Sequence, residues 1–443
     1  LTTETLTDNV DSLMSAASAS LNLDSAAERT TIRGADLALH AAIFVVAFAL
    51  VVSRRPDVIF NAQFYAEDGT LFYADAYHYG WRCLLMPYGG YLHIPLRLVG
   101  LLAQLVPFGL APLVMNLCAI VAQIIPVHIF LSSRFNAIPF VTRVCGALLY
   151  LAVPNAFEIH AKAANIQWHL ALVACLVLLA RPDRRLVWRI FDFLALVFFA
   201  LGSLMGILLI PVAVLSRWIR KDALYNLSLF ALIPGALVQS SILLFTESRR
   251  PAPNGATFAR LVDIIGGQLF LSSILGVRTP MQLYFHSHFQ SLFLFNLIAL
   301  AVGLPFVFYA LRHAPTELKL AYLFAGLVLA SALRSPLASF LGDKVQWQLL
   351  EIPGVGNRYY FFPMLAFLAT LIWMLTRVNS RFPRYSALVI LLLLPIGIWR
   401  DWRYKPFQDL HFQEYAAEFS RAAPGTQINI PLNPDWNMQL TKH

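Results

Sequence analysis

The amino-acid sequence predicts an all-α polytopic membrane protein, with about 10–12 transmembrane or re-entrant helices and its chemistry in extracytoplasmic loops. Three observations carry this. The 443 residues are 58% hydrophobic and only 13% charged, with a mean hydropathy of +0.64. Apolar segments recur along nearly the whole chain and lack the alternation of barrel strands. Basic residues gather in short connections between those segments. This composition excludes an ordinary soluble globular domain. A net charge of +9 would suggest nucleic acid in a soluble chain. Here it follows from the basic connections, and no basic–aromatic nucleic-acid module is present, so no nucleic-acid partner is expected.

In chain order, residues 1–33 are rich in Ser, Ala, Thr and acids and read as a disordered cytoplasmic tail. Residues 34–399 form the multi-span domain, and 400–443 an extracytoplasmic tail. Segments 223–245 and 289–311 are long enough to span alone. Segments 37–52 and 385–399 are short and span only if flanking polar residues snorkel. The basic groups Arg29/Arg33, Arg134/Arg143, Arg181/Arg184/Arg185/Arg189, Arg217/Arg220/Lys221, Arg312/Lys319 and Arg377/Arg381/Arg384 are placed inside. Asp183, Asp192 and Asp222 sit beside them as charge partners. The connections 53–91, 154–166, 246–287, 335–358 and the tail 400–443 then fall outside.

That parity allows one net crossing between residue 91 and Arg134, where two apolar stretches, 92–106 and 112–131, compete for it. One is expected to be re-entrant or interfacial, or the charge rule fails there. Gly202, Ser203 and Gly206 interrupt 190–216, which reads as a hairpin of two short helices with an outward apex. Residues 258–276 mix Arg260 and Asp263 with apolar positions and read as an interfacial helix. In the tail, His411–Arg421 reads as an amphipathic helix and Ile428–Pro431 as an extended strand.

The outer loops hold the candidate chemistry. Glu67 and Asp68 stand together just after the first apolar segment, in a chain with few acids. Carboxylates at a membrane edge are expensive and are functional candidates; the alternative is an Asp-Gly turn in solvent. Asp68, with Glu67 second, is the candidate general base. Asp75, His93, Glu158, His160, Asn165, Gln167, Trp168 and Tyr359 are candidate substrate contacts. Arg358, Arg97 and Lys162 are candidate phosphate contacts, with Arg249, Arg250, Arg334 and Lys344 as further outer cations. Base and cations together suit group transfer from an anionic lipid, whose leaving group needs positive charge. No nucleotide-binding glycine loop is present. No cofactor is called for. A divalent metal is not indicated, since His286 and His288 lack acidic neighbours. The cysteines show no paired spacing.

Tyr65-x-Glu67-Asp68-Gly69, Tyr91-x-His93-x-Pro95-x-Arg97, Asn165-x-Gln167-Trp168 and Ile430-Pro431-x-Asn433-Pro434-x-Trp436 resemble members of the GT-C superfamily of integral membrane glycosyltransferases. The likeness covers roughly residues 37–440. It implies a bacterial inner-membrane enzyme of the type that modifies O-antigen or other envelope polysaccharide. Such an enzyme transfers a sugar, hexosyl or pentosyl, from a polyprenyl-phosphate donor to a glycan or lipid-linked acceptor on the periplasmic side. Its essential acid sits in the first extracytoplasmic loop. The alternatives are a transporter or flippase of lipid-linked sugars, which should show repeats and mid-membrane charge, and a scaffold or ligase-like enzyme with its key residues in a late loop.

Overall fold

The computed structural model describes residues 37–222, 224–246, 253–286, 292–336 and 345–443. The expectations for 1–33, Arg249, Arg250, Lys344 and His288 lie outside these. Two compact units divide the chain, residues 1–49 and 50–443. The described part of the first is helical from Leu37, and the rest of this account concerns the second.

Among the described residues, eight helices are long and apolar enough to cross a membrane: Leu37–Arg54, Phe108–Leu131, Leu224–Phe245, Phe258–Leu275, Phe293–His313, Thr316–Arg334, Asn357–Arg377 and Arg381–Asp401. The protein is therefore a mostly helical, integral membrane protein. Ile94–Ala103 has 10 residues, a rise of about 15 Å, half the hydrocarbon thickness. It cannot cross alone, whereas Phe108–Leu131 can. Of the two competing stretches, the second is the one of spanning length.

The interrupted segment splits as its glycines suggest, into Leu186–Ala200 and Met205–Arg220. Among the described residues, several of the basic connections meet one another. Arg134 makes a bidentate pair with Asp192 at 2.7 Å and donates to the Arg181 carbonyl. Arg220 donates to the Leu179 carbonyl and to Glu317, and Arg377 to the Ala137 carbonyl. Asp183 pairs with Arg185. Asp222 instead turns its carboxylate onto the Leu224 N–H, closing a turn.

The stretch read as interfacial, 258–276, is also long and apolar enough to cross. Phe258–Leu275 is one helical stretch of spanning length. It lies against Phe293–His313 so closely that a Cβ on Gly266 would stand 2.0 Å from the Asn296 carbonyl oxygen. The polar residue that suggested a surface helix, Asp263, accepts the Asn296 side-chain amide at 2.8 Å. A buried partner accommodates the acid.

Residues 400–443 join the same compact unit. Helix Phe412–Arg421 buries Phe412, Ala416 and Phe419, an i, i+4, i+7 stripe. Strands β1 (Gln427–Leu432) and β2 (Trp436–Thr441) form an antiparallel hairpin in the register Ile428↔Leu440, Ile430↔Met438. Ile428, Ile430, Leu432, Met438 and Leu440 all face one side and share a core with Phe64, Phe72, Tyr73 and Phe108. The tail therefore clamps the loop that follows the first span.

Candidate functional site

The loop after the first span is built by apolar anchors. Phe64 and Phe72 are buried, and Phe64 meets Tyr73, Phe108 and Phe412 with ring centroids 5.0–6.2 Å apart. Gly69 lets β1 approach; a Cβ there would lie 2.6 Å from the Leu432 side chain. Between the anchors, the Ala66 N–H donates to the Asn433 carbonyl at 2.6 Å. Ala66 has φ +43°, an unfavourable region for a residue with a Cβ. This kink separates the side chains that follow. Asp68 opens a π-helical turn, Asp68–Tyr73, and turns into the protein at 2% exposure. Glu67 stays partly exposed and lines a cavity of about 610 Å³.

This cavity gathers much of what the sequence proposed. Glu67, His93, Glu158, Asn165, Gln167, Trp168, Arg358 and Tyr359 all line it. Arg358 Nη1 donates to Glu158 Oε1 at 2.8 Å, and its backbone N–H to Glu158 Oε2 at 3.1 Å. The guanidinium also reaches the Tyr359 hydroxyl at 3.2 Å. Asn165 is fixed by its amide on the Glu158 carbonyl, and Gln167 accepts from Tyr91 at 3.3 Å. Around these polar groups stand Ile207, Leu208, Leu243, Val328 and Ala332, a hydrocarbon wall from three helices.

Asp68, Asp75, Arg97, His160 and Lys162 do not line the cavity. Arg97 is 1% exposed, forms an ion pair with Asp75, and donates to the Met86 carbonyl at 3.0 Å. An arginine one step into an apolar helix has found a carboxylate and carbonyls instead of a ligand. His160 Nε2 donates to the Val51 carbonyl at 2.9 Å while Nδ1 accepts from Gln123 at 3.1 Å, so it ties helices together.

Lys162 is buried with its ammonium 4.1 Å from the Tyr65 ring. Tyr65 stacks on Phe407 at 4.7 Å, and the Arg55 guanidinium covers Phe407 at 3.5 Å. A cation–ring–ring–cation stack thus stands behind the Glu67 loop. Burial pushes Lys162 down to about 7, helped by Arg55 and opposed by Glu158 and Asp68. Burial likewise pushes Asp68 up to about 7, helped by Glu67 and opposed by the Ala164 N–H, Lys162 and Arg55.

Several lining residues were not singled out as site residues. Tyr65, Pro434 and Trp436 lie within the quoted motifs, and Pro434 and Trp436 bring the end of the chain to the first loop. Ser203, Leu204 and Met205 form the hairpin apex, which the glycine break had located. Tyr88 carried no sequence signal. No protein-family model matches the chain, and no curated protein matches it significantly.

Proposed function

We propose that this protein is a GT-C-type glycosyltransferase. It moves a sugar from a polyprenyl-phosphate donor to an envelope glycan or lipid-linked acceptor at the periplasmic face of a bacterial inner membrane. The observation that carries the reading is the single cavity in which the Glu67 carboxylate, the Arg358 guanidinium and a hydrocarbon wall meet. A lipid phosphate sugar has matching parts: an isoprenoid for the wall, a phosphate for the cation, and a reacting carbon between them.

In this reading the acceptor oxygen attacks the anomeric carbon and the carbon–oxygen bond to phosphate breaks. The phosphate leaves with the bonding electron pair, and Arg358 stabilises its charge. Glu67 takes the proton of the acceptor hydroxyl. Glu158 holds Arg358 by two hydrogen bonds, so the cation is positioned before the ligand arrives. Glu67 takes precedence over Asp68 as the base because Glu67 faces the cavity and Asp68 is enclosed behind it.

The test is transfer from a panel of polyprenyl-phosphate sugars by purified protein in lipid. Glu67→Gln should lower the rate by about 10²–10⁴ with the protein still folded. Near-wild-type transfer by Glu67→Gln would remove the assignment.

A further inference from the structure

We propose that Asn433 is a positioning residue for Glu67: from the tip of the C-terminal hairpin it holds the kink that aims the Glu67 carboxylate into the cavity. The role rests on the glycosyltransferase reading and gives a task to the motif Ile430-Pro431-x-Asn433-Pro434-x-Trp436. Tyr65, Ala66 and Glu67 line the cavity, and so do Pro434 and Trp436. Asn433 is buried, does not line the cavity, and joins these two parts of its wall.

Two routes run from Asn433 to the loop. The first is its backbone. Its carbonyl accepts the Ala66 N–H at 2.6 Å, and it forms a parallel β-bridge with Tyr65. The second is its side chain. Oδ1 accepts the Gln408 N–H at 3.0 Å, and Nδ2 donates to the Gln408 carbonyl at 2.9 Å. The preceding residue, Phe407, stacks on Tyr65. A short side-chain amide offers one donor group and one acceptor, so it matches both backbone groups of Gln408. A carboxylate would set a second acceptor against the Gln408 carbonyl, and an apolar side chain would answer neither group.

This hold matters because Ala66 has φ +43°. The left-handed region disfavours a residue with a Cβ, which stays there only when its surroundings fix it. Asn433 takes the Ala66 N–H from one side. From the other, Thr70 donates to the Ala66 carbonyl through its hydroxyl at 3.0 Å and its N–H at 3.3 Å. Beyond Thr70 the turn is pinned by buried Phe72 and Tyr73. Glu67 stands between the strained kink and the pinned turn. Without the Asn433 contact Ala66 relaxes toward negative φ, the rings stay in place, and Glu67 takes up the difference.

The experiment measures transfer and donor binding by purified protein in nanodiscs, using the polyprenyl-phosphate sugar that wild type accepts. Wild type, Asn433→Ala, Glu67→Gln and the double variant are compared. Asn433→Ala should lower kcat about tenfold to hundredfold, the usual effect of a misplaced group. Donor affinity should stay unchanged, since Glu158 holds Arg358 from a different segment. In the Glu67→Gln background the same change should cost less than about twofold, because no base is left to misplace. Ala66→Gly added to Asn433→Ala should recover part of the loss, since glycine keeps a positive φ without the hairpin. Asn433→Asp, of the same size, takes the place of Asn433→Ala if that variant is not monodisperse. Four results would each overturn the role and leave the glycosyltransferase reading standing. These are wild-type kcat in the folded variant, an equal loss with and without Glu67, a matching loss of donor affinity, and no recovery with Ala66→Gly. Transfer by wild type from no donor would remove both.

Discussion

Two buried aspartates at opposite ends of the sequence are treated very differently. Asp401 closes the helix Arg381–Asp401 at 1% exposure. Its Oδ2 accepts the backbone N–H groups of Asn155 at 2.9 Å and Val277 at 2.7 Å, and its Oδ1 that of Arg278 at 3.3 Å. Arg54, equally buried, donates to the Asp401, Leu151 and Val153 carbonyls beside it. Asp68 is buried to a similar degree, yet its Oδ1 has no partner. A satisfied carboxylate fastens three chain segments together. An under-satisfied one stores an unfavourable charge beside the cavity.

The largest expected effect breaks the first half of that contrast. Asp401→Ala leaves the buried N–H groups of Asn155 and Val277 unpaired, at about 1–3 kcal/mol each, and the part-buried N–H of Arg278 with them. Stability should fall by about 3 kcal/mol or more, read as loss of monodisperse protein in detergent. A variant as stable as wild type would mean that water replaces the carboxylate there, and the comparison would lose its structural pole.

The next contrast sets two arginines side by side. Arg97→Ala strands Asp75 and should destabilise the fold by about 2–3 kcal/mol, somewhat discounted because Asp75 keeps 18% side-chain exposure. Its activity loss should follow the loss of folded protein. Arg358→Ala should stay folded and lose about tenfold to hundredfold in donor affinity, the worth of a charge-assisted hydrogen bond. Arg358→Lys should recover only part, because a point charge cannot grip phosphate through two parallel donors. Equal behaviour of the two alanine variants in binding and in stability would merge the roles that the cavity separates.

How much of this was legible depends on what each residue had to reveal. The membrane class, the hairpin break at Gly202 to Gly206, the amphipathic helix near 412 and the strand near 428 follow from composition and local periodicity. The sequence assigns Glu67, Glu158, Trp168 and Arg358 to the same set of connections, and they line one cavity. Which side chains face the cavity was not. Glu67 and Asp68 are neighbours, and successive side chains on a helical turn point about 100° apart. Only the clamp of Leu432 and Asn433 on the loop decides which of them turns inward. Arg97, His160 and Lys162 were polar residues near the candidate site in sequence, but their partners Asp75, Gln123 and Tyr65 are tertiary facts. The partner of Asp263 stands 33 residues away, at Asn296, beyond the reach of local periodicity.

The smallest expected effect sharpens the contrast between the aspartates by pH. Asp68 rises from 3.8 to about 7 on folding. Between those values the folded chain holds a proton that the unfolded chain has lost, so its contribution to stability is lost as pH climbs from about 4 to 7. Lys162 falls from 10.5 to about 7, and its contribution runs the other way, rising from about 7 to 10.5. Together they leave this corner of the protein at its weakest near pH 7. Asp68→Asn removes the carboxylate's share while keeping its shape. Thermal unfolding in detergent should then show a gain on the order of 1–2 kcal/mol at pH 8 and a smaller one at pH 5, where folded wild type is already protonated. Asp401→Asn should lose stability at both pH values, since its three N–H donors need a carboxylate whatever the state of Asp68. A gain for Asp68→Asn that does not grow between pH 5 and pH 8 would mean that Asp68 is not strained as a charge, and the carboxylate beside the cavity would then be as settled as the one that fastens the fold.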